Sequence, residues 1–239
     1  DGCQASCAYC IVPLVRRDET SVPLAGVLSV ARERIAAGHS ELVLTGTRPG
    51  AYRDGERRLS DVIRAVLDLP GLGRLRVSSL QPQELSPRLL SLWSDSRLCP
   101  HFHLSLQSGS ASVLRRMARG YTPGRFMQAL DDIRAAVPGV AITTDIIVGF
   151  PAETDGEFAE SVRFCERAEF SRIHVFPFSP RPGTRAAEME NRVVGQQMKE
   201  RVHTMHELAE RGRRLYIDSL VGKRVRALWE EETSPGSGE

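Results

Sequence analysis

A chain of 239 residues, 41% hydrophobic and 26% charged, can bury one large α/β core or two small ones. No apolar run approaches the ~20 residues a bilayer span needs, and no basic-then-apolar start marks a secretory signal, so no membrane partner and a cytoplasmic location are expected. A net charge of +2 excludes a histone-like polyanion binder, and DNA is not an expected partner.

Lys occurs only at 199 and 223, leaving 30 of the 32 basic residues as Arg. Either a GC-rich genome or a surface suited to phosphate produces that bias, because the guanidinium fork binds phosphate oxygens in pairs. The chain opens at Asp1 rather than Met, which reads as a piece of a longer protein.

In chain order, a loop carrying Cys3, Cys7 and Cys10 comes first, after a lost or very short strand. Short runs rich in β-branched or aromatic residues, flanked by Gly or Pro, then read as strands over residues 41–47, 74–80, 101–107, 141–150 and 172–179. Amphipathic segments between them read as helices over 24–37, 59–69, 86–93, 111–119, 123–137 and 157–168. Thr122-Pro123 supplies an N-cap and a first-turn proline. A long helix is expected over 188–216, and 220–229 reads as the first strand of a second module that runs into a Glu-rich, Ser/Gly-rich tail.

About six strand–helix units at roughly 30-residue spacing predict a parallel sheet. That is too few for an eight-fold barrel and fits a partial (βα)6 TIM-like barrel over residues 1–216, followed by a truncated β module over 217–239. In such folds chemistry sits on the loops after the strand C-termini. The cysteine loop, Thr45-Gly46, Gln107-Ser108-Gly109, residues 149–153 and residues 179–184 all fall there.

Three of five cysteines within eight residues are not a disulfide framework in a chain this size; they point to clustered thiolates serving a metal in a reducing compartment. Structural zinc and closed ferredoxin-type clusters both take four ligands. Three thiolates on one loop fit a cubane with one iron left open to a cofactor, although a fourth ligand from His39, His101 or His103 stays an alternative. Cys99 and Cys165 read as buried small hydrophobes, and His101, His103, His174, His203 and His206 more as packing or surface residues than as ligands.

The segment from Asp1-Gly2-Cys3 to Ile11-Val12-Pro13 resembles the opening of the radical S-adenosylmethionine (SAM) domain of methylthiotransferases. The likeness continues through Leu44-Thr45-Gly46, the stretch from His103 to Ser110, the stretch from Met117 to Thr122, the stretch from Thr144 to Pro151 and the stretch from Phe178 to Thr184. It covers residues 1–216 in order, and Val221 onward resembles the start of the RNA-binding TRAM domain.

Ser105-Leu106-Gln107-Ser108 is most similar to the branch acting on N6-threonylcarbamoyladenosine in tRNA. The isopentenyladenosine enzymes usually carry Pro-x-Gln at that place, and the ribosomal-protein enzymes a His after the Gln. Isopentenyladenosine tRNA, or a radical SAM enzyme of other chemistry, are the competing readings.

The resemblance implies a [4Fe–4S] cluster on Cys3, Cys7 and Cys10, with SAM on the open iron and Tyr9 shielding the cluster. A 5′-deoxyadenosyl radical would take hydrogen from C2 of the modified adenosine in a tRNA anticodon loop, with a reductase or flavodoxin-type protein as electron donor. Sulfur would come from a second [4Fe–4S] cluster in an N-terminal domain that these residues do not include, so the chain alone is expected to support only SAM cleavage.

By the same resemblance Thr45-Gly46 holds the SAM amino group, or is a plain strand-to-loop turn. Ser105 and Gln107 alternate with leucines and so share one strand face, needing either a ligand or each other. Arg119 is a helix-end cation or reaches the SAM carboxylate. Asp145, inside an apolar strand, needs a partner: an ion pair with Arg119 or Arg181, or a ribose or substrate. Backbone at Gly149 faces adenine. Ala152 stands where the family usually has Gly, a conservative change if φ stays negative. Arg181 is a solvated Arg or binds a substrate or SAM carboxylate.

Overall fold

The computed structural model describes residues 1–16 and 18–228. After the cysteine loop come α1 (Val12–Val15), α2 (Leu24–Ala36), β1 (Glu41–Leu44), α3 (Leu59–Leu67), β2 (Arg74–Val77), α4 (Pro87–Leu90) and β3 (His101–His103). There follow α5 (Ala111–Arg116), α6 (Pro123–Ala136), β4 (Ala141–Val148), α7 (Asp155–Ala168), β5 (Arg172–Pro177), α8 (Arg185–Glu188) and α9 (Gly195–Leu220).

Helix periodicity is explicit in α3, where Leu59, Val62, Ile63, Val66 and Leu67 form the buried stripe. Its start is fixed by the Asp61 carboxylate, which accepts the Arg58 N–H at 2.9 Å. In α6 the Thr122 hydroxyl accepts the Arg125 N–H at 3.2 Å, with Pro123 in the first turn. Helix α7 starts at Asp155 rather than Glu157, because Thr154 and Glu157 cap each other reciprocally at 3.2 and 2.9 Å.

All strand pairings are parallel. β1 pairs β2 from Glu41–Arg74 to Leu44–Val77; β4 pairs β3 on one side and β5 on the other. Isolated parallel bridges, Leu75 to Leu98 and Leu80 to Leu104, tie the chain at β2 to the chain at β3, with the Leu80 N–H donating to the His103 carbonyl at 2.9 Å. The result is an open, partial TIM-like barrel of βα units, with five strands among the described residues. Phe102, Phe126, Phe150 and Phe170 fill the core. Phe126 meets Tyr121, Phe164 and Phe170 at ring separations of 5.7 to 6.3 Å.

Several expected boundaries change; β1 and β2 stop at Leu44 and Val77 rather than at 47 and 80. The third strand ends at His103, not Gln107. Beyond it the Thr144 hydroxyl enters the ladder, donating to the Leu104 carbonyl and accepting the Leu106 N–H at 3.1 Å, and Gln107 turns to φ +70°. The long helix begins at Gly195 rather than 188, because Asn191 sits at φ +56° and Val194 is extended.

The same helix continues through Leu220, where a strand had been expected to start. Residues 223–228 belong to no regular element, and the rest of that expected strand lies outside the described residues. Helix α9 can lie against β5 because Gly212 has no side chain: a Cβ there would stand 2.5 Å from the Phe170 carbonyl oxygen.

Candidate active site

The cysteine loop is pinned at both ends of its turn. Ala8 N–H donates to the Met117 carbonyl at 2.9 Å, the Ala8 carbonyl accepts from Ala186 at 2.8 Å, and Arg185 donates to the Ser6 carbonyl at 2.7 Å. Gly2, at φ +74°, lets the chain pass Asp18, whose carbonyl oxygen would stand 2.1 Å from a Cβ. Cys3, Cys7 and Cys10 are all partly exposed and free of disulfides.

Arg119 reaches this loop from the turn after α5. Helix α5 ends at Arg116 and Ala118 takes φ +54°, which swings Arg119 back over the strand ends. One terminal nitrogen lies 3.4 Å from both the Cys7 sulfur and the Tyr9 hydroxyl; the other donates to the Ser105 carbonyl at 3.2 Å. The Nε donates to the Tyr121 hydroxyl at 2.9 Å.

Burial works against the Arg119 cation, but Tyr121, Tyr9 and Cys7 more than offset it and its pKa is raised. Burial lifts Tyr9 well above the ordinary phenol range and Tyr121 to about 12, with Arg119 opposing both shifts. Burial also pushes the Cys10 thiol up. The Val12 N–H opposes that, Cys7 and Cys3 add to it, and Arg119 opposes it.

A cavity of about 310 Å³ lies beside this cluster, lined by Tyr9, Gln107, Asp145, Ile147, Arg181 and the segment from Phe176 to Ser179. Four of the expected site residues therefore meet in one space. Thr45 and Gly46, exposed just beyond β1, line a separate cavity of about 150 Å³ with Asp1, Gly2 and Tyr52. Ser105 and Gly149 line neither. Ser105 instead donates to Asp145 at 3.3 Å. Gly149, at φ +73°, donates its N–H to the Glu153 carboxylate at 2.8 Å.

Asp145 departs from expectation. Its partner is neither Arg119 nor Arg181 but His103, whose Nε2 stands 3.0 Å from Oδ2. Burial raises the Asp145 pKa, but the His103 hydrogen bond, the His103 and His174 charges and Ser105 outweigh it, leaving it below the usual carboxyl value. His103 had read as a packing residue. The pattern that exposes it is the alternation of His101, His103 and Ser105 on one strand face.

Arg201 on α9 was also missed. It is buried, and it donates to the Glu153 carboxylate and carbonyl, each at 3.0 Å, and to Asp155 at 2.6 Å. Ala152 sits at φ +60°, so the condition under which Ala would replace Gly without strain is not met.

Do these residues fit a cluster? Three free, partly exposed thiols on one short loop, with the Arg119 guanidinium 3.4 Å from the Cys7 sulfur to compensate thiolate charge, fit a three-cysteine cluster.

The chain belongs to the radical SAM superfamily, whose family model matches residues 1–165. That family implies a [4Fe–4S] cluster and SAM. The fold agrees: methylornithine synthase superposes with a TM-score of 0.62 at 16% identity, covering 89% of this chain and 60% of that one. Coproporphyrinogen III oxidase from Escherichia coli, a radical SAM enzyme, gives 0.60 at 16%, covering 79% and 46%.

Within the superfamily the chain is similar to the threonylcarbamoyladenosine tRNA methylthiotransferase MtaB of Thermotoga maritima, 39% identical over 96% of this chain and 54% of the relative. The tRNA-2-methylthio-N(6)-dimethylallyladenosine synthase of Syntrophotalea carbinolica is 36% identical over 100% and 55%. The chain thus spans about half the length of the curated relatives it matches. No helix among the described residues is long and apolar enough to cross a membrane.

Proposed function

We propose that this chain is the radical SAM core of a tRNA methylthiotransferase acting on N6-threonylcarbamoyladenosine, with Cys3, Cys7 and Cys10 as the cluster ligands. The observation that carries the reading is the set of three free, partly exposed thiols with the Arg119 guanidinium 3.4 Å from Cys7. Bound there, a reduced cluster supplies the electron for cleavage of SAM.

The chain's own residues do the rest. Arg119 holds its charge beside Cys7 and ties the cysteine loop to Ser105 and Tyr121. Tyr9, Ile147, Phe176 and Phe178 give the adjoining cavity apolar walls, while Gln107, Asp145 and Arg181 offer it a few polar groups. Thr45 and Gly46 supply a separate backbone edge beside the start of the cysteine loop.

In the longer protein a second [4Fe–4S] cluster would supply sulfur, the tRNA anticodon loop would present the base in an accessible, splayed form, and a reductase or flavodoxin-type protein in the cytoplasm would supply electrons. Action on dimethylallyladenosine is the second reading, favoured by the 36% identity that extends over the whole chain.

The test is anaerobic reconstitution with iron and sulfide, then dithionite and SAM. The wild-type chain forms 5′-deoxyadenosine and the Cys7→Ala variant does not; no 5′-deoxyadenosine from a reconstituted wild type refutes the reading. The chain alone forms no methylthio-adenosine. Nucleoside analysis of tRNA from a deletion strain separates the two substrates by which 2-methylthio mark disappears.

A further inference from the structure

His103, Asp145 and His174 come from three adjacent parallel strands, β3, β4 and β5, and each presents one ligand atom within 4.8 Å of the other two. Register explains the gathering. Asp145 is the direct partner of His174, and His103 is the partner of Thr143, two residues before Asp145 on the same face. All three are half-buried. From this we infer a second metal site, separate from the cysteine loop, in which His103, Asp145 and His174 bind one divalent first-row cation of the zinc or iron(II) class.

Two features go beyond proximity. The first is donor type: two imidazoles and one carboxylate suit borderline divalent cations and leave further coordination positions open. The second is the layer behind the ligands. A ligating histidine is normally oriented by a partner on its other ring nitrogen. His103 has one, with Nδ1 standing 2.9 Å from the Thr143 hydroxyl while Nε2 faces Asp145 at 3.0 Å.

Thr143 is itself buried and held from the other side by His101 Nε2 at 3.2 Å. A cation on Nε2 leaves Nδ1 facing the Thr143 hydroxyl as its orienting partner. Asp145 also lines the 310 Å³ cavity, which gives the cation an entry path.

The test uses the full chain with Cys3, Cys7 and Cys10 all changed to Ala, so that no cluster thiol competes. Calorimetric titration with Zn²⁺ is expected to show one equivalent bound. Co²⁺ is expected to give d–d bands without a thiolate charge-transfer band. Adding His174→Ala removes that equivalent. Adding Thr143→Val weakens it ~10- to 100-fold through the lost orienting bond.

Asp145→Asn is the conservative check, with far-UV circular dichroism verifying that each variant is folded. Absence of stoichiometric Zn²⁺ binding, binding unchanged by His174→Ala and by Asp145→Asn, or a thiolate band in the Co²⁺ spectrum each overturns the inference. The outcome is independent of SAM cleavage, because the variant tested cannot assemble the cluster.

Discussion

Replacing Arg201 by Met tests whether one buried ion pair holds α9 against the turn that follows β4. Arg201 and Glu153 have side chains only 4% and 1% exposed, and they share a 3.0 Å contact. Removing one partner of such a pair strands the other charge and costs ~3–5 kcal/mol. The Asp155 arm ends on an 84% exposed carboxylate and does not decide the sum. Stacking of the guanidinium over Phe158, at 5.4 Å, adds ~0.5–2 kcal/mol. Met fills most of the Arg volume, so the cavity contribution is small.

The total, ~3.5–7 kcal/mol, corresponds to a fall in Tm on the order of 10–25 °C for a domain of this size. Urea unfolding followed by circular dichroism measures it, with an unchanged m-value showing that the unfolded reference has not moved.

The deficit also carries a pH signature. Burial already lifts the Glu153 pKa, opposed by the Gly149 N–H and by Arg201. Without Arg201 it rises further, and the folded state then holds a proton that the unfolded state releases above its ordinary value of about 4.5. Stability of a group so shifted falls as pH rises, so the deficit shrinks as pH is lowered toward that value. Adding Glu153→Gln recovers part of the loss, because no buried charge is then stranded. A single variant within ~1 kcal/mol of the parent at pH 7 refutes the argument.

Burial, with Arg76 and His103 adding to it, depresses the His101 pKa to about 4 from 6.5. A histidine shifted down destabilises the fold as pH drops from 6.5 through 4, by at most ~3 kcal/mol; urea midpoints across that window show the loss, and His101→Gln lacks it. Ala152→Gly relieves a left-handed alanine at an exposed turn and raises stability by about 1 kcal/mol in the same assay. Arg119→Met removes the cation beside Cys7 and lowers the iron bound per chain after anaerobic reconstitution, while Arg119→Lys retains more of it; equal iron in all three proteins contradicts the charge-compensating role.

The parts of this fold that could be read from the residues are those fixed locally. Thr122-Pro123 and the apolar spacing of residues 59–67 name their helices because capping and periodicity act within a turn or two. That Cys3, Cys7 and Cys10 share one loop is legible for the same reason: their spacing is short. What escaped the sequence is set across the chain. The third strand stops early because Thr144, some 40 positions on, offers its hydroxyl to Leu104 and Leu106. Arg201 belongs to Glu153, 48 residues back, and nothing near either residue announces the other.

Asp145 shows how the two kinds of information combine. A carboxylate in an apolar strand demands a partner, and that much is local. Which partner depends on register between strands. Two cations, Arg119 and Arg181, were the obvious candidates, but the parallel pairing of β3 with β4 sets His103 on the same inward face and within 3.0 Å. Arg119 is thereby left for Cys7, Tyr9 and Tyr121, and Arg181 for the cavity rim. Had Asp145 taken Arg119, the cysteine loop would have lost its compensating charge. The histidine on β3 therefore leaves Arg119 to the cysteine loop.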